Sequence, residues 1–130
     1  MRRFIPAILW TIISYILLTL PGSDIPSSDF FDLIHFDKWV HIFMFGLLSF
    51  LWCYPFTQKK YSKPWIFITI LASVILYGIL MEFVQKYFTR DRSFDITDII
   101  ADISGAFLGF FILRFLIRRK LHGMGKNKPL

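Results

Sequence analysis

The stretch WIFITILASVILYGILM, from Trp65 to Met81, contains seventeen consecutive residues without a charge. A helix of about 17–25 mostly apolar residues is long enough to cross the hydrocarbon core of a bilayer. An apolar helix inside a soluble bundle would present a charged or strongly polar face to water, and no face of this stretch carries a charge. The stretch therefore predicts a transmembrane helix.

Three further stretches have the same character: Phe4–Leu20, Val40–Phe56 and Ile99–Leu113. The first has no ionisable side chain, whereas His41 and Asp102 interrupt the other two. We expect an all-α membrane bundle of four transmembrane helices, over residues 4–20, 38–56, 65–88 and 98–117. They form one domain, residues 1–117, which is followed by a basic tail, residues 118–130.

The composition agrees with a membrane protein. Of 130 residues, 55% are hydrophobic and 19% aromatic, which is more apolar surface than a soluble domain of this size buries. A single cysteine excludes a disulfide framework. Met1-Arg2-Arg3 before an apolar run also resembles a signal peptide, but the run is long and no small-x-small cleavage site follows. We expect the first helix to be retained.

The basic residues are unevenly distributed along the chain. Of 15 Lys and Arg residues, eleven lie on the side of the two chain ends and of the loop between the second and third helices, and four lie on the opposite side. By the positive-inside rule, both termini are predicted to be cytoplasmic in a multi-pass plasma-membrane protein. Topology and anionic lipid then account for the net charge of +6, so no nucleic-acid partner is expected.

Ionisable residues lie at similar depth on three of the predicted helices. His41 follows the start of the second helix by about 5 Å, Glu82 lies about 25 Å along the third, and Asp102 lies about 6 Å into the fourth. Because the third helix runs opposite to the others, all three side chains are predicted in one layer near the outer surface. Intramembrane ionisable groups that converge in this way indicate a functional site.

Spacing within each helix places polar residues on shared faces. Asp37 and His41 are four residues apart, and Gly78, Glu82 and Gln85 follow steps of four and three. On the fourth helix the steps are 3, 4, 3 and 4: Asp95, Asp98, Asp102, Gly105 and Gly109. This stripe ends in a Gly-x-x-x-Gly packing motif, which also predicts a possible homo-oligomer through Gly105 and Gly109.

Three motifs in this order resemble the VanZ-like family of small bacterial membrane proteins. The first is DKWVHIFMFGLL (37–48), the second is EFVQ (82–85), and the third is RSFDITD (92–98) with DISG (102–105) after it. The resemblance covers about residues 5–117. The family commonly has Asn where this chain has Asp102, so an inherited role at that position is in question. The resemblance implies a four-helix protein of the bacterial envelope, with a family name derived from teicoplanin resistance.

From the residues and the resemblance we expect an outward-facing polar site that binds or modifies an anionic amphiphile. Such a ligand is a lipid-linked cell-wall precursor, a phospholipid or a lipoglycopeptide. The candidate catalytic residues are His41, Glu82 and Asp98. The candidate ligand-binding residues are Asp37, Lys38, Gln85, Arg92, Asp95 and Asp102. Lys38 and Arg92 would hold phosphate or carboxylate, Arg92 through its bidentate fork.

Other functions are weighed against this hypothesis. The main alternative is a non-enzymatic structural or interaction protein whose buried ion pairs hold the bundle together. A transporter is disfavoured because the polar residues avoid the midplane. The side chains of His41, Glu82 and an Asp are suitable metal ligands, but with a single histidine nearby we expect no metal and no cofactor.

Overall fold

The computed structural model describes residues 2–21, 35–58, 63–90 and 92–126. It contains four α-helices: α1 (Ile5–Leu18), α2 (Phe36–Cys53), α3 (Pro64–Phe88) and α4 (Ile96–Lys126). Short 3-10 turns at Arg2–Phe4 and Tyr54–Thr57 precede α1 and follow α2. No strand occurs in these ranges, so the prediction of an all-helical protein is confirmed.

Local sequence explains where the helices begin and end. Proline occupies one of the first two positions of α1 and of α3, where its missing N–H costs no hydrogen bond. At the start of α4, Asp95 accepts hydrogen bonds from the backbone N–H and the hydroxyl of Thr97, both at 2.7 Å. Asp95 is therefore the N-terminal cap of α4.

Three of the four predicted spans are confirmed as long apolar helices: Phe36–Thr57, Pro64–Phe88 and Ile96–Lys120 are each long and apolar enough to cross a membrane. The first helix differs from the prediction, because α1 has 14 residues and is about 21 Å long. That length is shorter than the ~30 Å hydrocarbon core. Crossing by α1 therefore stays a prediction.

The second helix is at the centre of the bundle and packs most extensively against α4. A Cβ atom added at Gly105 or Gly109 would collide with the backbone carbonyl of Ile42 or Gly46, respectively. The Gly-x-x-x-Gly face is thus in backbone contact with α2 of the same chain. A homo-oligomer through these two glycines stays a prediction.

The apolar side chains divide between a narrow core and a broad outer surface. Phe45, Leu48, Val74, Met81 and Ala106 are buried together between α2, α3 and α4. Many large hydrophobic residues are exposed, among them Ile68, Phe111 and Phe115. Because membrane helices meet lipid and not water on the outside, this distribution fits a bundle that spans a bilayer.

Candidate functional site

Six ionisable side chains from α2, α3 and α4 meet at the end of the bundle where α2 and α4 begin and α3 ends. We call this group the polar cluster; its members are Lys38, His41, Glu82, Asp95, Asp98 and Asp102. Along their helices they lie within about 9 Å of the nearer helix end. The predicted convergence of three helices in one layer is therefore present in the structure.

His41 and Asp102 form the deepest pair of the polar cluster. The Nδ1 atom of His41 lies 2.8 Å from Oδ1 of Asp102, and the two residues are 3% and 2% exposed. When Asp102 is ionised its carboxylate only accepts hydrogen bonds, and Nδ1 of His41 is then the donor. A Cβ atom at Gly78 would lie 2.7 Å from Oδ2 of Asp102, so the absence of a side chain on α3 makes room for this carboxylate.

Glu82 is buried, but only one of its carboxylate oxygens has a partner. Oε2 accepts a hydrogen bond of 3.0 Å from the backbone N–H of Asp95, which connects α3 to the start of α4. Among the described residues Oε1 has no hydrogen-bond partner, and Glu82 is only 1% exposed. A buried carboxylate oxygen without a partner is costly, so this oxygen is a candidate contact for a ligand.

Lys38 is surrounded by carboxylates. Its Nζ lies 3.1 Å from Asp37 and 2.6 Å from Asp95, and it also forms a close ion pair with Asp98. The hydrogen bonds from Lys38 and from Thr97 lower the pKa of Asp95, which precedes α4, to about 2. Asp37 is half-exposed and lies at the rim. The charge of Lys38 is thus already neutralised within the protein.

Side-chain atoms of His41, Glu82 and Asp98 also lie close to one another. The Nε2 atom of His41 lies 4.0 Å from Oδ2 of Asp98. One ligand atom each from His41, Glu82 and Asp98 lie within 4.8 Å of one another, and all three residues are buried. These are the three residues that the sequence suggested as catalytic.

Gln85 and Arg92, two of the predicted ligand-binding residues, are not members of the polar cluster. Gln85 is buried, and its Nε2 donates a hydrogen bond of 3.0 Å to the carbonyl oxygen of Leu18 at the end of α1. Arg92 is partly buried, and its Nε has no partner. Within the described ranges of the chain Arg92 forms no ion pair, which distinguishes it from Lys38.

Sequence reasoning missed the aromatic support of the site. The ring of Phe45 is fully buried and stacks parallel to His41, with centroids 6.4 Å apart. Phe45 also contacts Tyr77, whose hydroxyl lies 3.2 Å from the hydroxyl of Ser14. The spacing of four residues between His41 and Phe45 was the available signal.

Tyr77 also lines a mainly apolar cavity of about 420 Å³ between α1, α2 and α3. Its wall includes Leu48, Trp52, Ile70 and Val74. The rings of Phe45 and Tyr77 therefore lie between this cavity and His41 of the polar cluster.

Comparisons with known proteins agree with these observations. The family model described as VanZ/LLP1 matches residues 3–118. An uncharacterized protein of Schizosaccharomyces pombe is 32% identical over 87 residues, which is 65% of this chain and 51% of that protein. The chain thus spans about half the length of this relative. No solved structure matches the chain.

Proposed function

Because the chain belongs to the VanZ/LLP1 family of membrane proteins, we propose that it is a four-span protein of the bacterial plasma membrane that binds an anionic amphiphile at the polar cluster. The observation that supports this proposal most directly is that His41, Glu82 and Asp98 are buried close together inside an otherwise apolar bundle. Buried ionisable groups in a membrane are expensive and are retained where they serve a ligand or a pathway.

Two further features support an amphiphile. Arg92 forms no ion pair with the residues that the structure describes, and its planar fork has the geometry to hold a phosphate or carboxylate head group. The apolar cavity beside Tyr77 offers space for part of an acyl chain. Lipid-linked cell-wall precursors, phospholipids and lipoglycopeptides such as teicoplanin each have a polar head group and an apolar chain. The relative in a fungus favours the phospholipid head group, which bacterial and fungal membranes share.

The head group is expected to remain bound when the protein is purified. We expect native mass spectrometry of the full chain in mild detergent to show an anionic lipid, with about one molecule per chain. Arg92→Lys keeps the charge but loses the bidentate geometry, so it should reduce the retained lipid at least tenfold. The matched control is Arg90→Lys on the exposed neighbour, which should retain the lipid. Full retention by Arg92→Lys would show that Arg92 acts only as a charge.

A structural role is the second candidate, and the pairing of Lys38 with three carboxylates favours it. Under this alternative the wild-type protein would retain no anionic amphiphile at all. Glu82→Gln would then accumulate to normal levels and behave as wild type, including in a glycopeptide-sensitivity assay. Loss of function at normal accumulation would instead support a ligand site.

We further propose that both termini are cytoplasmic and that the polar cluster faces outward. The eleven basic residues at the ends and in the middle loop support this orientation. A reporter that is active only in the cytoplasm should be active when fused after Leu130 and inactive when fused after Asp29. Activity after Asp29 alone would reverse the orientation and place the polar cluster on the cytoplasmic side.

A further inference from the structure

The polar cluster has a surplus of negative charge. Five carboxylates lie in or beside it, those of Asp37, Glu82, Asp95, Asp98 and Asp102, and they face one lysine and one histidine. Lys38 contacts neither Glu82 nor Asp102 within 4 Å in the described part of the chain. Excess charge in a buried site costs several kcal/mol unless a cation or a proton removes it. Within the described residues Glu82 has no such cation beside it, so a bound cation or a proton would lower this cost.

His41 has an orientation that suits cation binding. In the neutral tautomer whose Nδ1–H is donated to Asp102, the lone pair of Nε2 lies on the Asp98 side. Metal-bound histidines almost always donate their other ring N–H to a carboxylate or carbonyl, because this fixes the tautomer and raises the basicity of the ligand. The His41–Asp102 pair has this arrangement.

The unpartnered oxygen of Glu82 gives an independent indication. Oε1 is buried and has no donor within reach, while Oε2 of the same carboxylate is fixed by the backbone N–H of Asp95. The carboxylate is thus oriented by one oxygen and has the other available. Together with His41 and Asp98 it supplies three ligand atoms within 4.8 Å of one another.

We propose that His41, Glu82 and Asp98 bind one divalent transition-metal ion, with Zn²⁺ preferred. Ligand atoms about 2.1 Å from a tetrahedral zinc are about 3.4 Å apart. The 4.0 Å between His41 Nε2 and Asp98 Oδ2 needs to shorten by about 0.6 Å, and no separation in the group, all within 4.8 Å, needs to shorten by more than about 1.4 Å. One imidazole and two carboxylates suit zinc better than magnesium, which prefers oxygen ligands alone.

Three protein ligands leave the fourth tetrahedral position open, as in catalytic zinc sites. An oxygen of a phosphate or carboxylate head group would occupy that position, and the ion would supply the positive charge that Lys38 no longer offers. The contact between the metal ion and a head-group oxygen rests on the proposed function. Metal binding by the three residues does not depend on it.

The test is a Zn²⁺ titration of the purified full-length chain after treatment with a chelator. We expect one zinc ion per chain by elemental analysis, bound at least 100-fold more tightly than Mg²⁺. Glu82→Gln should weaken zinc binding at least 100-fold. Asp102→Asn keeps an acceptor for the His41 N–H, so it should retain the stoichiometry and weaken binding about 10- to 100-fold. Ser104→Ala, at an exposed position of α4 outside the polar cluster, is the matched control and should bind as wild type.

Thermal unfolding separates a binding role from a structural one. Zinc should raise the melting temperature of the wild type and of Ser104→Ala but not that of Glu82→Gln, because an ion stabilises the folded state only of a protein that binds it. Without zinc, Glu82→Gln should melt no lower than the wild type, since it removes an uncompensated charge. Equal zinc binding by Glu82→Gln, or no binding by the wild type, would overturn the proposal and leave protonation as the means of removing the charge.

The same samples distinguish this inference from the proposed function. Retention of an anionic head group by wild-type protein that binds no zinc overturns the metal site and supports head-group binding by Arg92. Zinc binding without any retained amphiphile overturns the proposed ligand and supports the metal site.

Discussion

Replacing Gly109 with alanine is expected to lower the free energy of unfolding by about 3 kcal/mol or more and to sharply reduce the amount of folded protein. The added Cβ would overlap the backbone carbonyl oxygen of Gly46 on α2. Backbone atoms of a packed helix have no alternative rotamer, so the two helices would have to separate. Reversible unfolding of the purified protein in mixed micelles measures the change.

Ser104→Ala is the control for this substitution, because Ser104 is on the same helix and exposed. Its hydroxyl only bonds to the carbonyl oxygen of Ile100 within α4, and its loss should change stability by less than about 0.5 kcal/mol. If Gly109→Ala left monomer stability unchanged but altered the oligomeric state, the glycine face would pack between chains and not against α2.

Replacing Lys38 with methionine is expected to destabilise the protein by about 3 kcal/mol, because it leaves the buried carboxylate of Asp98 without its cation. Methionine keeps most of the apolar stem, so the change isolates the charge. Unfolding in mixed micelles at neutral pH, with metal removed, measures the effect without a contribution from a bound ion.

A second substitution shows whether the loss comes from this pair. Lys38→Met combined with Asp98→Asn should recover much of the lost stability, since the buried unpaired charge is gone. Asp37→Asn removes a half-exposed partner of the same lysine and should cost less than about 1 kcal/mol. Equal losses in Asp37→Asn and Lys38→Met would mean that burial of Asp98 does not decide the effect.

Much of the fold follows from the sequence because the signals are local. Long apolar runs, interrupted only by His41 and Asp102, predict α2, α3 and α4, and all three are present, with α2 and α4 beginning two residues earlier than expected. The family resemblance is confirmed by the match over residues 3–118. The expected length of the first helix was too great, because apolar composition continues through Leu20 although α1 ends at Leu18.

The candidate site was predictable where helical spacing alone decides it. Steps of three and four residues placed Asp95, Asp98 and Asp102 on one face, and all three are in the polar cluster. Gln85 shares the face of Glu82, yet it lies one turn nearer the helix end, where its neighbour is α1 and not α4. Which helix lies beside a given turn depends on tertiary packing, and spacing on one helix does not specify it.

Asp102 shows a second limit of sequence reasoning. Its departure from the Asn common in VanZ-like proteins put an inherited role in question, but its Oδ1 accepts the hydrogen bond from His41. An asparagine oxygen would accept the same bond. Either Asp or Asn at position 102 is therefore suited to orienting His41, and the two residues differ by one negative charge.

The order in which the ribosome delivers the helices gives the α2–α4 contact a consequence for biosynthesis. His41 and Glu82 enter the membrane on α2 and α3, whereas the carboxylates of Asp98 and Asp102 arrive with α4, the last helix of the described chain. Until then the earlier helices hold their ionisable groups in lipid without these partners, at a cost of a few kcal/mol. The contacts of the polar cluster with Asp98 and Asp102 and the glycine contacts of α2 with α4 therefore both depend on the arrival of α4. A chain released by the ribosome before α4 would be an incomplete product, recognisable to membrane quality control by the unpaired charges it carries.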